Sequence, residues 1–463
     1  MICVQSSVFD NFTSLVSLQN SKSAKLIALL RDNFNISQFI PADFFLHFNN
    51  QFGRKRKFSL LSFLNALLIK SLFKISTISQ LILFLESSPD LASYCNFITV
   101  PDETRFSKFL SVFADDINSV FQNLVSFSAP IISSISDKLS RTLILDTTGV
   151  LANVKENNPK FVNAKIKNLK SANKANKNFN PYSAAYSSMP KSASADSNIK
   201  LSFANGEFCY SHKFAVLTDG LGFTKSITAL DSDFIYSNSP DSDKSLHDIK
   251  CLKPVLNGFF ANNKNFNPYT FLGDSAFDSN DSYEFLMNVL HFKRVAIPLN
   301  TRNTKFKDTN DLDSLGYPFC KIKKLSFKFE GVTNGKNRSQ RLKFVCPLAS
   351  HDKKGKYVCT CDTPCSSSCC RMRYINAKSN LRAFPGIQRN TRHYDNVYKR
   401  RTVIERTINS LKDMSCYKSF SRNPNVILSD LLFAGIAQHV ILILANALSL
   451  KSLKSFQALR KAA

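Results

Sequence analysis

Apolar positions return at helical spacing through residues 1–135, with little chemistry among them, which predicts a helical first domain. Within it Phe58 to Phe73 reads as an apolar helix directly behind the basic run Arg54-Lys55-Arg56-Lys57. The pattern then changes period. Arg141-Thr-Leu-Ile-Leu-Asp146 is a short run rich in β-formers that ends on an acid and the turn chemistry of Thr147-Thr148-Gly149, so it predicts a buried strand with Asp146 at its carboxyl end. Tyr269-Thr-Phe-Leu-Gly273-Asp274 repeats the arrangement, Asp281 to Leu290 is amphipathic, and Arg294 to Asn300 is again strand-like. Strand, acid, helix, strand is a crossover unit with its acid where open α/β sheets place ligands. Between these boxes Gly206 to Gly220 predicts a strand and a turn. Residues 155–200 are rich in Lys, Asn, Ser and Ala with little periodicity, which predicts a mobile basic loop. Leu431 to Leu450 reaches membrane-span length, but Gln438, His439 and Asn446 interrupt it. A buried helix packed on the sheet is the reading, with His439 a satisfied core residue.

One helix carries chemistry. Tyr398, Arg401, Glu405 and Lys412 recur at offsets of three, four and seven, which at roughly 100° per residue brings them to one stripe. Val403, Ile404, Ile408 and Leu411 form a second, apolar stripe that would pack inward. A carboxylate flanked by two cations and a phenol suits a metal ion beside a phosphate; a solvated basic helix is the competing reading.

Composition narrows the partners. With 61 Lys+Arg against 34 Asp+Glu the formal charge is +27, which predicts attraction to polyanions, nucleic acid first. A chain of 463 residues, 44% hydrophobic, can bury substantial cores in roughly two to four domains. The opening Met1-Ile-Cys-Val-Gln-Ser-Ser has no basic and long apolar leader, so no secretory signal is expected. Six cysteines cluster late in the chain: Cys346, Cys359, Cys361, Cys365, Cys369 and Cys370. Without export, thiolate ligation of a structural zinc outranks disulfides, with free thiols the alternative.

The Tyr-x2-Arg-x3-Glu-x6-Lys spacing at 398–412 resembles the signature of DDE transposases of bacterial insertion sequences, in the group whose catalytic helix carries those four residues. The Asp274 segment, with Phe277 and Asp278 following, resembles that family's second acidic box, and Leu299-Asn300-Thr301-Arg302 its Asn-x-Arg. Phe277 stands where the family often has Tyr. Tyr210-Ser-His212-Lys213 resembles a strand that brings a lysine toward DNA, although Lys213 also reads as an ordinary edge-strand lysine. Pro101 to Phe109 resembles the start of a helix in the N-terminal domain, where the resemblance implies binding to terminal repeats.

The resemblance implies an α/β fold: an RNase H-like mixed sheet with flanking helices, interrupted by an insertion domain, plus a helical N-terminal domain. The expected parts are a DNA-binding domain at 1–135, the first part of the catalytic domain at 136–302, a Cys-rich insertion at 303–395, and a completing segment at 396–463. It further implies that Asp146, Asp274 and Glu405 hold Mg²⁺ or Mn²⁺, while Tyr398, Arg401, Lys412, Lys213 and Arg302 contact DNA. Implied partners are element ends and target DNA, bound by a homodimer without membrane association, in the cytoplasm at the nucleoid. A metal-dependent nuclease without strand transfer, a non-catalytic DNA-binding derivative and a basic membrane-associated protein are the alternatives.

Overall fold

The computed structural model describes residues 22–49, 55–174, 176, 178–204, 207–231, 248–300, 312–313, 316–320, 323–334, 340–362, 372–415 and 421–462. Helices come first: α1 (Lys22–Asn33), α2 (Ala42–Phe48), α3 (Leu60–Leu72), α4 (Ile78–Ser87), α5 (Pro89–Tyr94), α6 (Glu103–Val112) and α7 (Ala114–Ile135). The middle of the chain alternates strands and helices. It holds β1 (Thr142–Leu151), α8 (Pro159–Ala172), α9 (Pro181–Ser187), β2 (Lys200–Ala204), β3 (Glu207–Asp219), β4 (Thr224–Ala229), α10 (Asp248–Asn262), β5 (Thr270–Leu272) and β6 (Arg294–Ala296). Short strands follow: β7 (Phe319–Cys320), β8 (Leu325–Ser326), β9 (Lys328–Thr333), β10 (Arg341–Val345), β11 (Ala349–His351), β12 (Tyr357–Cys359) and β13 (Met372–Asn376). The chain closes with α11 (Arg392–Tyr398), α12 (Thr402–Ser415), α13 (Pro424–Ala447) and α14 (Phe456–Ala462). This is a mixed α/β architecture whose ladders are both parallel and antiparallel.

Two compact units divide it: 1–137, 147–246 and 405–463 form the first, and 138–146 with 247–404 the second. The first is organised around α13, which packs on α3, α6, α7 and β4. Its run of buried residues from Leu431 to Leu442 has no polar face, so it reads as the core of a helical layer. It is long and apolar enough to cross a membrane by composition, yet most of it is buried inside the protein. The polar residues that interrupt it are satisfied. Gln438 accepts from the Thr224 backbone N–H at 2.9 Å and its hydroxyl at 2.8 Å, and donates to the Gly222 carbonyl at 2.9 Å. His439 Nε2 donates to the Thr224 carbonyl at 2.8 Å, which leaves Nδ1 to accept from the Ser128 hydroxyl at 2.7 Å. Burial then drives the His439 pKa down to about 3, so the ring stays neutral. Lys70 reaches Asp430 at 2.9 Å on the same helix. In the sheet of this unit, β2 and β4 pair antiparallel with successive stretches of β3.

Residues 155–200 depart from the expected loop. Asn158 caps α8 by accepting the Lys160 N–H, Pro159 presets the first helical turn, and Ile166 is buried on its inner side. Asn180 and Pro181 start α9 in the same way. Local capping thus orders a segment whose Lys and Asn content reads as structureless.

In the second unit β1 runs parallel to β5, and β5 parallel to β6. Residues Leu143, Ile144, Leu145, Phe271, Leu272, Val295 and Ala296 are fully buried, the continuous apolar run expected of parallel strands covered on both faces. Further along, β9, β10 and β13 make a three-stranded antiparallel sheet. Tyr317, Phe327, Phe344 and Phe384 form its own small core.

Candidate active site

Two of the sequence-predicted acids lie at matched positions. The β1–β5 ladder pairs Ile144 with Leu272, so Asp146, midway along β1, and Asp274, just past the carboxyl end of β5, each stand two residues beyond a paired position. The strand end and turn expected at Asp146–Gly149 are not found, because β1 continues through Thr147–Gly149 to Leu151. A cation already answers one of the two acids. The Arg401 guanidinium sits 3.2 Å from Asp146 Oδ2, with both side chains about four-fifths buried.

Asp274 is held by its own turn. Its Oδ1 accepts the Ala276 N–H at 2.8 Å and caps a short 3₁₀ turn, Ser275–Phe277. Gly273 permits the turn to fold this tightly, since a Cβ there would meet the Phe277 ring at 2.8 Å. Asp278 closes the turn, and it is fully enclosed. Arg382 grips it through two bonds, Nε to Oδ1 at 3.0 Å and Nη2 to Oδ2 at 2.7 Å. The Tyr283 hydroxyl donates to Oδ1 at 3.1 Å and the Asn300 N–H to Oδ2 at 2.8 Å.

A second buried arginine extends the brace. Arg389 donates to the carbonyls of Ile297 at 3.1 Å and Arg382 at 2.7 Å, and to the Tyr283 hydroxyl at 2.5 Å. The intervening segment lies against β6. Val295 donates to the Pro385 carbonyl at 2.8 Å, and Gly386, at φ +74, leaves room where a Cβ would strike the Lys293 carbonyl at 2.1 Å.

The helical stripe read from sequence is broken by a tightened turn. Tyr398 ends α11 and stacks on Tyr394 at 5.8 Å with planes 10° apart. Lys399–Arg401 is a 3₁₀ turn, and Glu405 and Lys412 follow on α12. A 3₁₀ turn advances about 120° per residue, so azimuths drift from an ideal α-helical stripe. Ile404, Ile408 and Leu411 are buried as the apolar spacing predicts. Glu405 is exposed on the first unit's part of the helix. Lys412, expected to face phosphate, is only 4% exposed, and burial lowers its pKa to about 8. Leu411, Met414 and Ser415 are buried beside it, so covering elements outweigh the seven-residue offset from Glu405.

Lys213 is not on an edge: it occupies β3 between the stretch paired with β2 and the stretch paired with β4, and its carbonyl accepts the Leu230 N–H. Arg302 lies outside the described residues, as do Cys365, Cys369 and Cys370. Cys346, Cys359 and Cys361 are free thiols, and the hydrogen bond the Cys361 thiol makes to the neighbouring Cys359 raises its pKa. Among the described residues no three His, Cys, Asp or Glu side chains stand close enough to share a metal ion.

Sequence reading missed the arginine brace, because Arg382 lies 104 residues from Asp278. It also missed a basic cavity of about 120 Å³ in the N-terminal helices, where Arg56, Lys57, Arg105 and Lys108 surround Phe48, Phe63 and Phe109. The basic run and the predicted α6 start were the visible signals; Asp102 caps that helix by accepting the Arg105 N–H at 3.0 Å.

No curated protein matches the chain in sequence at a significant level. A family model does match, over a span that contains Asp274 and Glu405 and begins after Asp146. That model is the transposase DDE domain, matched at residues 224–437, and over that span the chain is similar to the DDE transposase family.

Proposed function

We propose that this protein is an insertion-sequence transposase of the Tyr-Arg-Glu-Lys group, with an RNase H-like catalytic core, that cleaves DNA at element ends and joins them to target DNA. The observation that carries the reading is the register-matched pair of Asp146, midway along β1, and Asp274, just past the end of the neighbouring parallel β5, in a chain that matches the transposase DDE domain. Glu405 is the third acid. Hard carboxylate oxygens suit Mg²⁺ or Mn²⁺, and the guanidinium on Asp146 fits a site that needs positive charge. Two bound ions would acidify water and stabilise a leaving oxygen.

In the first step a water oxygen bonds to phosphorus at the element end and the P–O3′ bond breaks. The freed 3′-oxygen takes a proton and the flank keeps the 5′-phosphate. In the second, that 3′-hydroxyl oxygen bonds to a target phosphorus as the target's own P–O3′ bond breaks. Arg401 would release Asp146 and grip a phosphate by bidentate contact, and Tyr398 would hold the strand beside it. Lys412 must turn outward to share that role. Lys213 and Arg302 are proposed as further contacts, and the Arg56–Lys108 cavity as part of terminal-repeat binding by residues 1–135.

The protein would act at the nucleoid as a homodimer on paired ends, with 136–302 and 396–463 forming the catalytic part around the insertion at 303–395. A structural zinc within Cys346–Cys370 is proposed separately. The decisive test supplies labelled element ends, Mg²⁺ and a target plasmid to purified protein. Cleaved and joined products support the reading; cleavage without joining gives a nuclease, and no cleavage overturns it.

A further inference from the structure

Helix α8 presents a face made for polyanions. Asn163, Lys167, Lys170, Ser171 and Lys174 fall at steps of four, three, one and three, and with Tyr182 of α9 they line an open cavity of about 470 Å³. Residues 157–195 contain seven lysines and no Asp or Glu. Among the described residues Lys167, Lys170 and Lys174 form no ion pair, so their charge is not spent inside the protein. Lys170 lies over the Tyr182 ring at 5.0 Å and donates to its hydroxyl at 3.4 Å, which fixes the middle cation. Tyr182 and Tyr186 are more than half exposed.

We propose that this α8–α9 face is a sequence-independent clamp on the phosphodiester backbone of duplex DNA, additional to the contacts the acidic site makes. The spacing fits. Lys167 and Lys170 on α8 and Lys174 on the turn that follows it cover about 10 Å at helical rise, and phosphates of one strand recur about every 3.4 Å along the duplex axis, so the three ammonium groups cover roughly three phosphates. Asn163, Ser171 and Tyr182 add neutral donors of the kind that position backbone without reading bases. Capping by Asn158 and Asn180 holds the lysines in this array, which a disordered tail of equal charge would not do. The inference rests on the transposase reading only for its biological setting.

The test measures binding of the full chain to a short random-sequence duplex across a salt series. The triple variant Lys167→Ala, Lys170→Ala and Lys174→Ala should bind more weakly and lose about 2 to 3 units of salt slope, at about 0.9 per phosphate contact. The corresponding Lys→Arg triple should keep the slope. Circular dichroism checks that α8 persists in both. A wild-type slope in the Ala triple overturns the clamp, as does a loss confined to RNA, acidic peptide or anionic vesicles used as competitors. Because cleavage is scored separately, a wild-type protein that cleaves ends while the triple keeps its slope refutes the clamp alone. A triple that loses slope in a protein that never cleaves refutes the transposase reading alone.

Discussion

Replacing Arg382 with Met isolates the brace on Asp278. The aliphatic stem is kept, and the two bonds at 3.0 and 2.7 Å are lost. Asp278 then retains only the Tyr283 hydroxyl and the Asn300 N–H, with its side chain 0% exposed. Leaving one partner of a buried pair uncompensated costs about 3–5 kcal/mol, which is far more than any surface pair supplies. The double variant Arg382→Met with Asp278→Asn removes the stranded charge, and its amide oxygen still accepts the Asn300 N–H, which leaves the Tyr283 O–H as the unsatisfied donor at a residual cost of about 1–3 kcal/mol. The double should therefore be less damaged than the Arg382 single. Since the protein has two units, a single melting curve is a poor readout, and hydrogen exchange at the Asn300 amide is the direct one. Its exchange should accelerate by roughly two to three powers of ten in Arg382→Met and by less in the double. Because Asp278 closes the turn that Asp274 opens, the Mg²⁺ concentration needed for half-maximal cleavage should rise in parallel. Asn300 exchange within threefold of wild type in Arg382→Met would refute the brace.

Four further outcomes are expected. Asp146→Asn, Asp274→Asn and Glu405→Gln should each abolish end cleavage while retaining DNA binding, and cleavage at wild-type rate by any one removes that acid from the site. Arg401→Ala should weaken end binding and reduce the salt slope by about one unit, whereas an unchanged slope would confine it to pairing with Asp146. His439 has a folded pKa of about 3 against 6.5 when unfolded, so the unfolded chain binds more protons in that window. Its contribution is complete above pH 6.5 and falls as pH drops toward 3, by about 1.4 kcal/mol per pH unit; His439→Gln should flatten the pH dependence of hydrogen-exchange protection in the α13 core there, and an unaltered dependence would refute the assignment. Metal analysis of protein purified without added zinc should give about one zinc per chain if the cysteine stretch binds it, and six titratable thiols in metal-free protein would dismiss that idea.

What the sequence made legible was chemistry with a local setting. Asp146 and Asp274 each follow a run of buried β-formers, so their place on strands could be read without knowing that the strands are neighbours; the strand end was right for Asp274 and wrong for Asp146, whose strand runs on to Leu151. The apolar stripe through Ile404, Ile408 and Leu411 was equally local. What escaped depends on distance or on competition between local effects. The Arg382–Asp278 pair joins positions 104 residues apart, and no short window contains both. Burial of Lys412 depends on which elements cover the end of α12, which helical periodicity does not encode. The 3₁₀ turn at Lys399–Arg401 altered an azimuth that had been projected from ideal geometry. Helix α8 was hidden by composition, because two Asn-Pro starts count for more than the average of a Lys-Asn segment.

Helix α13 also dictates when this protein can fold. The surfaces of α3, α6 and α7 that it fills leave the ribosome long before Pro424 is translated. Synthesis at roughly 5–20 residues per second holds those grooves open for tens of seconds, the interval in which chaperones or aggregation compete for them. A message cut short upstream of α13 therefore yields a chain whose first unit lacks its central helix. Only full translation releases a product able to assemble its first unit.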